Sequence, residues 1–420
     1  MKNQQVSESI LQKRIKRFKS MKRGYYSLIL LIIFYVLSIL GPLWMNNKAL
    51  IIRYSNNKWD SGESFDDNNN NNKYDEGEIF KDTYEYYFPA IMDFISFIPG
   101  ITYPLYESKT FNQDISSIQV NFRLLDKQFE KQNNGNFVIM PLYPYHPHED
   151  LKDDLDEEYM DINKNGEWNK GEPFIDENED GEWNENNPPT LPSDRHIAGT
   201  DTTGRDVFSR LIDGYKISMT FALIVTTLSY IIGVIIGAML GYFGGRVDLF
   251  GVRLIEIFSA IPFLFMLMIL ANSMKPGIFM LALLAVILKG WIGITMYIRG
   301  EFFREKPKDY VSAAVSMGQS NWKIMFKHIL PNSLTPIITF APFSIIADIF
   351  LLVSLDFLGY GLTPPASSWG HLLQQGSENL EAYHLLIFPI LIMTLTIFMI
   401  TFISEAVREA FDPKVYSRLR

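Results

Sequence analysis

Tyr310-Val311-Ser312-Ala313-Ala314-Val315-Ser316-Met317-Gly318, followed by Ile329-Leu330-Pro331-Asn332, stands between two long apolar segments. Small residues at Ser312, Ala313 and Ala314 predict a short helix that a second protein can approach closely. Gly318 supplies a turn that costs a residue with a Cβ more. Outward from this loop the apolar residues gather into runs too long for ordinary core helices, and that clustering means membrane. A span needs roughly 20 apolar residues to cross about 30 Å of hydrocarbon. Six segments qualify or nearly qualify, centred near Phe34, Ile231, Phe263, Leu284, Ile345 and Ile392. Pro262, Gly290 and Pro342 interrupt some of them, which a packed bundle tolerates because neighbouring helices satisfy the freed backbone groups.

The 420 residues carry a formal charge of −9, but unevenly. The segment from about Asn47 to Thr203 is roughly twenty units net negative, and the rest of the chain is net basic. Basic residues cluster in Lys13-Arg14-Ile15-Lys16-Arg17-Phe18-Lys19, at Arg246 and Arg253, from Arg299 to His328, and from Arg408 to Arg420. Basic loops stay inside, so both termini are expected in the cytoplasm, with the acidic segment outside and the basic face against an anionic inner leaflet. The first apolar run exceeds the roughly 7–15 residues of a signal-peptide core, and Gly41-Pro42-Leu43-Trp44 is a poor cleavage site, so a retained signal anchor is expected. With no cysteine, disulfides, thiolate metal sites and a cysteine nucleophile are excluded. The expected organisation is a basic N-terminus over 1–23, a first helix over 24–46, an extracytoplasmic insert over 47–195, and a transmembrane domain over 196–420 with helices 2–6.

The insert repeats a short oxygen-rich pattern. Asp161, Asn163, Asn165, Glu167, Asn169 and Glu172 surround Gly166 in the order of a calcium loop, with oxygen ligands at positions 1, 3, 5, 9 and 12 and glycine at the sharp turn. A second copy has Asp176, Asn178, Asp180, Gly181, Glu182 and Asn184 but ends on Asn187, which cannot act as a bidentate carboxylate. A third has Asp67, Asn69, Asn71, Asp75 and Glu78, with Asn72 in the glycine position. The flanks do not read as the long helices of a full EF-hand, so structural Ca²⁺ is the expectation. An Asn/Asp-rich solvated linker is the alternative. His146 and His148, two residues apart without a third ligand, read as surface or cap-packing histidines. Asn133 to Tyr145 and Tyr86 to Pro89 suggest a small extended or β-containing cap.

Before the second span, His196-Ile197-Ala198-Gly199-Thr200-Asp201-Thr202-Thr203-Gly204-Arg205-Asp206-Val207-Phe208-Ser209-Arg210 reads as a turn followed by an interfacial amphipathic helix, with Asp206 near its N-terminus and Arg210 snorkelling. Gly233, Gly237 and Gly241 repeat every fourth residue and make a groove for close helix packing, within the subunit or against a partner. Charges in spans are costly, so Glu256, Lys289 and Asp348 are expected to face protein or a water-filled path.

The Tyr310–Gly318 and Ile329–Pro331 pattern resembles the EAA signature of binding-protein-dependent ABC importer permeases, with Ser312 where that family often has an acidic residue. The Gly199, Thr200, Asp201, Gly204, Arg205, Asp206, Ser209 and Arg210 segment resembles the GTD-x-x-GRD-x-x-SR motif of the second permease subunit of dipeptide and oligopeptide importers. Asp356-Phe357-Leu358-Gly359-Tyr360-Gly361, Trp369-Gly370 and Arg408 to Pro413 continue the likeness. The insert and Leu372-Leu373-Gln374-Gln375-Gly376 are similar to the subgroup associated with oligopeptide and microcin C-type uptake. The resemblance implies an all-α polytopic membrane protein with six helices of the type I importer permease fold. It also implies a bacterial inner-membrane location, with a second permease, two ATPase subunits or domains and an extracytoplasmic peptide-binding protein as partners. In that family the loop docks on the ATPase. No G-x-x-x-x-G-K-[ST] phosphate loop occurs here, so ATP hydrolysis would belong to the partners and this chain is not expected to be an enzyme. No nucleic-acid partner is expected. Two other readings are a membrane-anchored calcium-binding surface or sensor protein and a secondary transporter. The first leaves the coupling loop and five spans unexplained, and the second would show internal repeats.

Overall fold

The computed structural model describes residues 10–55, 64–65, 80–81, 83–95, 111, 120–132, 135–151, 160, 162, 168–174 and 188–411. The chain divides into two compact units, 39–155 and 1–38 with 156–420.

In the larger unit, α1 (Ile10–Ser20) and α2 (Lys22–Ile39) precede α6 (Val207–Phe243), α7 (Gly245–Ala260), α8 (Phe263–Met274), α9 (Ile278–Ala285) and α10 (Trp291–Glu305). These are followed by α11 (Asp309–Ser316), α12 (Asn321–Lys323), α13 (Leu330–Phe357), α14 (Trp369–Glu378) and α15 (His384–Phe411). Single π-helical turns at Val286–Gly290 and Ile324–Ile329 join α9 to α10 and α12 to α13. Among the described residues, five helices are long and apolar enough to cross a membrane: Lys22–Ile39, Val207–Phe243, Ile278–Glu305, Ile337–Phe357 and His384–Phe411. The sixth expected span, centred on Phe263, is a pair of helices, α7 and α8, bent by 69°. The bend has a local cause. Pro262 has no N–H to donate, and its ring pushes Ile261 out of the helical region to φ −75°, ψ 128°. Pro342, by contrast, lies inside the unbroken α13.

The glycine groove is satisfied within the subunit. A Cβ on Gly233 would lie 2.0 Å from Ile294 Cγ2, on Gly237 2.5 Å from Thr295 O, and on Gly241 2.5 Å from Phe302 Cβ. The three glycines thus let α6 lie against α10, backbone to backbone. At the end of α6, Gly244 (φ 63°) and Gly245 (φ 52°) make the left-handed corner into α7. Asp248 on α7 then takes a two-pronged contact from the Arg299 guanidinium on α10, with Nη2 at 2.6 Å from Oδ2. Between the terminal helices, Arg17 on α1 pairs with Glu409 on α15 at 3.3 Å, and Arg14 lies over the Phe411 ring.

The smaller unit contains α3 (Gly41–Trp44), α4 (Pro89–Ile95) and α5 (Phe122–Gln132), with a two-stranded ladder β2 (Ser64–Phe65) and β3 (Phe80–Lys81). Its main sheet is antiparallel in the order β4 (Glu85–Tyr87), β1 (Ile51–Tyr54), β5 (Phe137–Ile139), with Ile52 opposite both Tyr87 and Val138. Alternation along β1 sends Ile52 and Tyr54 inward onto Leu125 and Phe129 of α5, as a half-buried strand should. The expected β-containing cap is this layer. His148 N donates to His146 Nδ1 at 3.2 Å, and among the described residues no group of three His, Asp or Glu is placed to hold a metal.

Candidate functional site

The segment before α6 is a buried knot of hydrogen bonds. Gly199 (φ 74°) and Gly204 (φ 78°) turn the chain so that Asp201 N donates to Arg205 O and Val207 N to Gly199 O. A Cβ at Gly199 would meet Thr190 O at 2.4 Å. Asp201 Oδ1 accepts from Thr203 N (2.8 Å), Thr203 Oγ1 (2.6 Å) and Arg205 N (3.0 Å), while its Oδ2 lies 3.2 Å from Arg210 Nε. That last contact is a Coulombic pair without hydrogen-bond alignment, between side chains 0% and 2% exposed. Asp206 caps α6: Oδ1 accepts from Ser209 N at 2.7 Å, and Oδ2 faces His196 Nδ1 at 2.9 Å. Thr200 O meets His384 Nε2 of α15 at 2.9 Å, so the motif ties the entry of α6 to the last helix. All eight expected motif residues therefore converge on one structural joint.

Two expectations are corrected here. Arg210 does not snorkel; it is buried because Asp201 gives it a partner inside the protein. Among the described residues no separate interfacial helix precedes the second span, because Asp206 caps a helix that continues as the 37-residue α6. A parallel joint closes the far end of α13. Asp356 Oδ1 accepts from Leu362 N at 2.7 Å, its Oδ2 accepts from Ser368 Oγ, and the fully buried Trp369 donates Nε1 to Leu211 O at 3.0 Å. His371, outside the spans, is held below its ordinary pKa by burial and by the Arg210 charge.

The 309–332 loop is built differently. α11 ends in paired bonds, Gly318 N to Val315 O (2.9 Å) and Gln319 N to Ala314 O (3.2 Å), with Gly318 at φ 69°. This is a Schellman stop that needs a residue free to adopt the left-handed region. Val311 and Ala314 point inward with Ile324, Met325 and Ile329 against Ile298 and Phe302 of α10. Ala314 is thus not on the contact surface, because one helical turn from Val311 carries it to the same inward face. Ser312, Ala313 and Gly318 face outward, and so does Pro331 at the start of α13, while Leu330 is half-buried. The outward face also carries residues the sequence reading passed over: Val315 (54% exposed), Met317 (67%) and Trp322 (56%), the last stacked on Phe326. Apolarity alone could not single them out, because the same loop carries Val311, Ile324, Met325, Phe326 and Ile329, which turn inward or lie partly buried. Behind this face, Glu305 Oε1 accepts from Lys308 Nζ (2.7 Å) and Oε2 from Tyr310 OH (2.9 Å). Burial, with the Glu305 carboxylate alongside, holds the Tyr310 hydroxyl above its ordinary pKa, so it remains a donor. Tyr310 is accordingly a brace between α10 and α11.

Of the charges in the apolar segments, Glu256 sits on an exposed face of α7 paired with Arg253 at 2.6 Å. Asp348 accepts from Thr226 Oγ1 at 2.7 Å, and Lys289 lies 5.9 Å from the Phe263 ring centroid. The calcium-loop residues Asp67, Asn69, Asn71, Asp75, Glu78, Asp161, Asn163, Asn165, Glu167, Asp176, Asn178, Asp180 and Glu182 lie outside the described residues. Asn169 and Glu172 are described: the buried Glu172 accepts from Ile162 N at 3.0 Å and Asn169 N at 2.9 Å.

Residues 233–417 match the family described as binding-protein-dependent transport system inner membrane component. The inner membrane ABC transporter permease protein YejE of Escherichia coli is 31% identical over 403 residues, 96% of each chain. The chain belongs to this permease family. The peptidoglycan transport system permease protein YejE of Agrobacterium fabrum is 44% identical over 216 residues, 51% of this chain and 56% of that one. The oligopeptide transport system permease protein OppC of Haemophilus influenzae is 37% identical over 220 residues, 52% of this chain and 70% of that one. A solved structure of the MetNI methionine ABC transporter in an inward-facing conformation matches 49% of this chain and 97% of its own at 16% identity, with TM-score 0.39. The protein is thus a multi-pass inner-membrane permease of the ABC importer type, and its apolar helices are the permease's spans.

Proposed function

We propose that this permease imports peptides or peptide-like compounds, forming half of a translocation pathway with a second permease. Two ATPase subunits drive it, an extracytoplasmic binding protein loads it, and both of its termini lie in the cytoplasm. The observation that carries the reading is the 309–332 loop: a braced, glycine-stopped helix whose outward face presents Val315, Met317 and Trp322 beside small residues. Such a rigid apolar patch with a polar surround suits a protein partner, and its attachment to α10 and α13 makes it a lever on two spans. The basic clusters flanking the apolar segments, set against an acidic insert, support the orientation. The names of the relatives support peptide cargo.

The test is a double substitution, Val315→Asp with Met317→Asp, in the reconstituted complex. Both side chains are exposed, so the subunit should fold and insert. Peptide-stimulated ATP hydrolysis and uptake should fall at least about tenfold, as for loss of an interface anchor. Unchanged coupling would show that the loop is not the ATPase contact.

Structural Ca²⁺ in the insert is a further part of the proposal. The pattern from Asp161 to Glu172 has the ligand order for it, and Trp168 sits beside Glu172, donating Nε1 to its carbonyl at 3.3 Å. Adding Ca²⁺ to the chelated protein should change tryptophan fluorescence with a midpoint of about 10⁻⁴–10⁻³ M, and a Glu172→Gln variant should weaken the response. A flat titration would favour the solvated-linker alternative.

A further inference from the structure

Between α6, α8, the π-helical turn and α13 lies an open cleft of about 460 Å³, within the range of ligand-binding clefts. Its walls are mostly apolar, from Val225, Phe263, Leu264 and Leu351, and it is bordered by two opposite charges, Lys289 and Asp348. Ionisable residues at this depth are costly unless something answers their charge. Asp348 has one neutral donor, Thr226 Oγ1, and Lys289 has only the Phe263 ring; neither forms an ion pair with the other or with any described residue. Lys289 is carried by the π-helical turn Val286–Gly290, where the extra residue in the turn alters the facing of the side chains that follow. Gly290 keeps that turn close to α6, since a Cβ there would lie 2.2 Å from Ser229 Oγ.

We infer that this cleft is a transient binding site for a zwitterionic peptide, Lys289 receiving the C-terminal carboxylate and Asp348 the N-terminal ammonium while side chains lie on the apolar walls. The chemistry fits for three reasons. No ion pair joins the two charges, so each is available to an opposite charge on one ligand. Charge-assisted hydrogen bonds to a carboxylate and an ammonium are the strong polar contacts a free-ended peptide can make. Apolar walls with few directional groups leave side-chain identity unread, as passage of many sequences requires. A zwitterionic lipid headgroup offers the same pair of charges, so the two occupants must be separated by experiment. The inference rests on the peptide-import reading and adds a site within the permease to it.

The test is photo-crosslinking in the intact complex in proteoliposomes, with the tripeptide Ala-photoleucine-Ala, its C-terminal amide, its N-acetyl form and a diazirine phosphatidylethanolamine as probes. The free tripeptide should label the cleft walls, with adducts mapped by mass spectrometry to residues such as Leu351 and Val225. Blocking either end should lower the yield at least about tenfold, the least that loss of one charge-assisted hydrogen bond costs. Lys289→Met should lower labelling by the free tripeptide but leave the amide at its already reduced level, and Asp348→Asn should do the same for the N-acetyl form. Should a variant fail to assemble, the four probes on the unaltered complex decide alone. Adducts elsewhere only, equal labelling by free and blocked peptides, or labelling by the lipid that free tripeptide does not displace would each overturn the proposal. Transport is scored in the same vesicles, so that a complex moving no peptide at all marks failure of the import reading, separately from failure of this site.

Discussion

Replacing Arg210 by Met is expected to destabilise the purified subunit by about 3–5 kcal/mol, the cost of leaving one member of a buried ion pair without the other. Asp201 and Arg210 are 0% and 2% exposed, so neither charge can turn to water when its partner is lost. The effect should spread beyond the pair. Asp201 also accepts three bonds from Thr203 and Arg205, and the turn they shape sets both the Asp206 cap on α6 and the Thr200 contact to His384 on α15. Thermal unfolding in detergent, followed by size-exclusion chromatography, should show the variant melting well below the parent. The double change Asp201→Asn with Arg210→Gln should recover part of the loss, because it removes both charges and keeps hydrogen-bonding groups. A single variant within about 0.5 kcal/mol of the parent, the range of ordinary surface changes, would show that the pair is dispensable and the joint is held elsewhere.

Gly237→Val should be comparably severe. A Cβ at this position would stand 2.5 Å from Thr295 O and 3.0 Å from Ile298 Cβ, and the nearer of these is backbone that cannot rotate away. Overpacking costs about 1–3 kcal/mol where side chains give way; here α6 and α10 must separate, so the upper end or beyond is expected. Gly293→Val, on α10 with nothing within 4 Å of its would-be Cβ, is the control. The same melting measurement should find the control near the parent and Gly237→Val largely aggregated. Equal behaviour of the two would mean that the helices do not pack as described.

These two sites show where sequence reading reached and where it stopped. The spans were legible because hydropathy is additive along a helix, and the four-residue glycine repeat announced close packing. It did not say against what, since α10 begins about fifty residues later. Pro262 announced an interruption, but the 69° bend depends on the pre-proline geometry of Ile261 and on how the two helices then pack. Asp206 was legible as a helix start because capping is local. Arg210 was misread for the opposite reason: a charged residue one turn into an apolar helix looks interfacial until a turn nine residues upstream brings Asp201 to meet it. In the 309–332 loop the small residues are visible, but Ala314 can be told from Ala313 only by which side of α11 the core occupies. Tyr310 belongs to the stretch that resembles the EAA signature, and that resemblance gives no sign that its hydroxyl is committed to Glu305.

The central claim is tested most directly by tagging this chain, isolating it from its native membrane with mild detergent together with whatever subunits accompany it, and sealing the product into vesicles with purified binding protein. Uptake of a radiolabelled tripeptide is then followed with and without ATP. The account predicts co-purification of a second permease and ATPase subunits, and accumulation that requires both ATP and the binding protein. Isolation of the chain alone through several detergents, or peptide accumulation that proceeds equally without ATP, would contradict it.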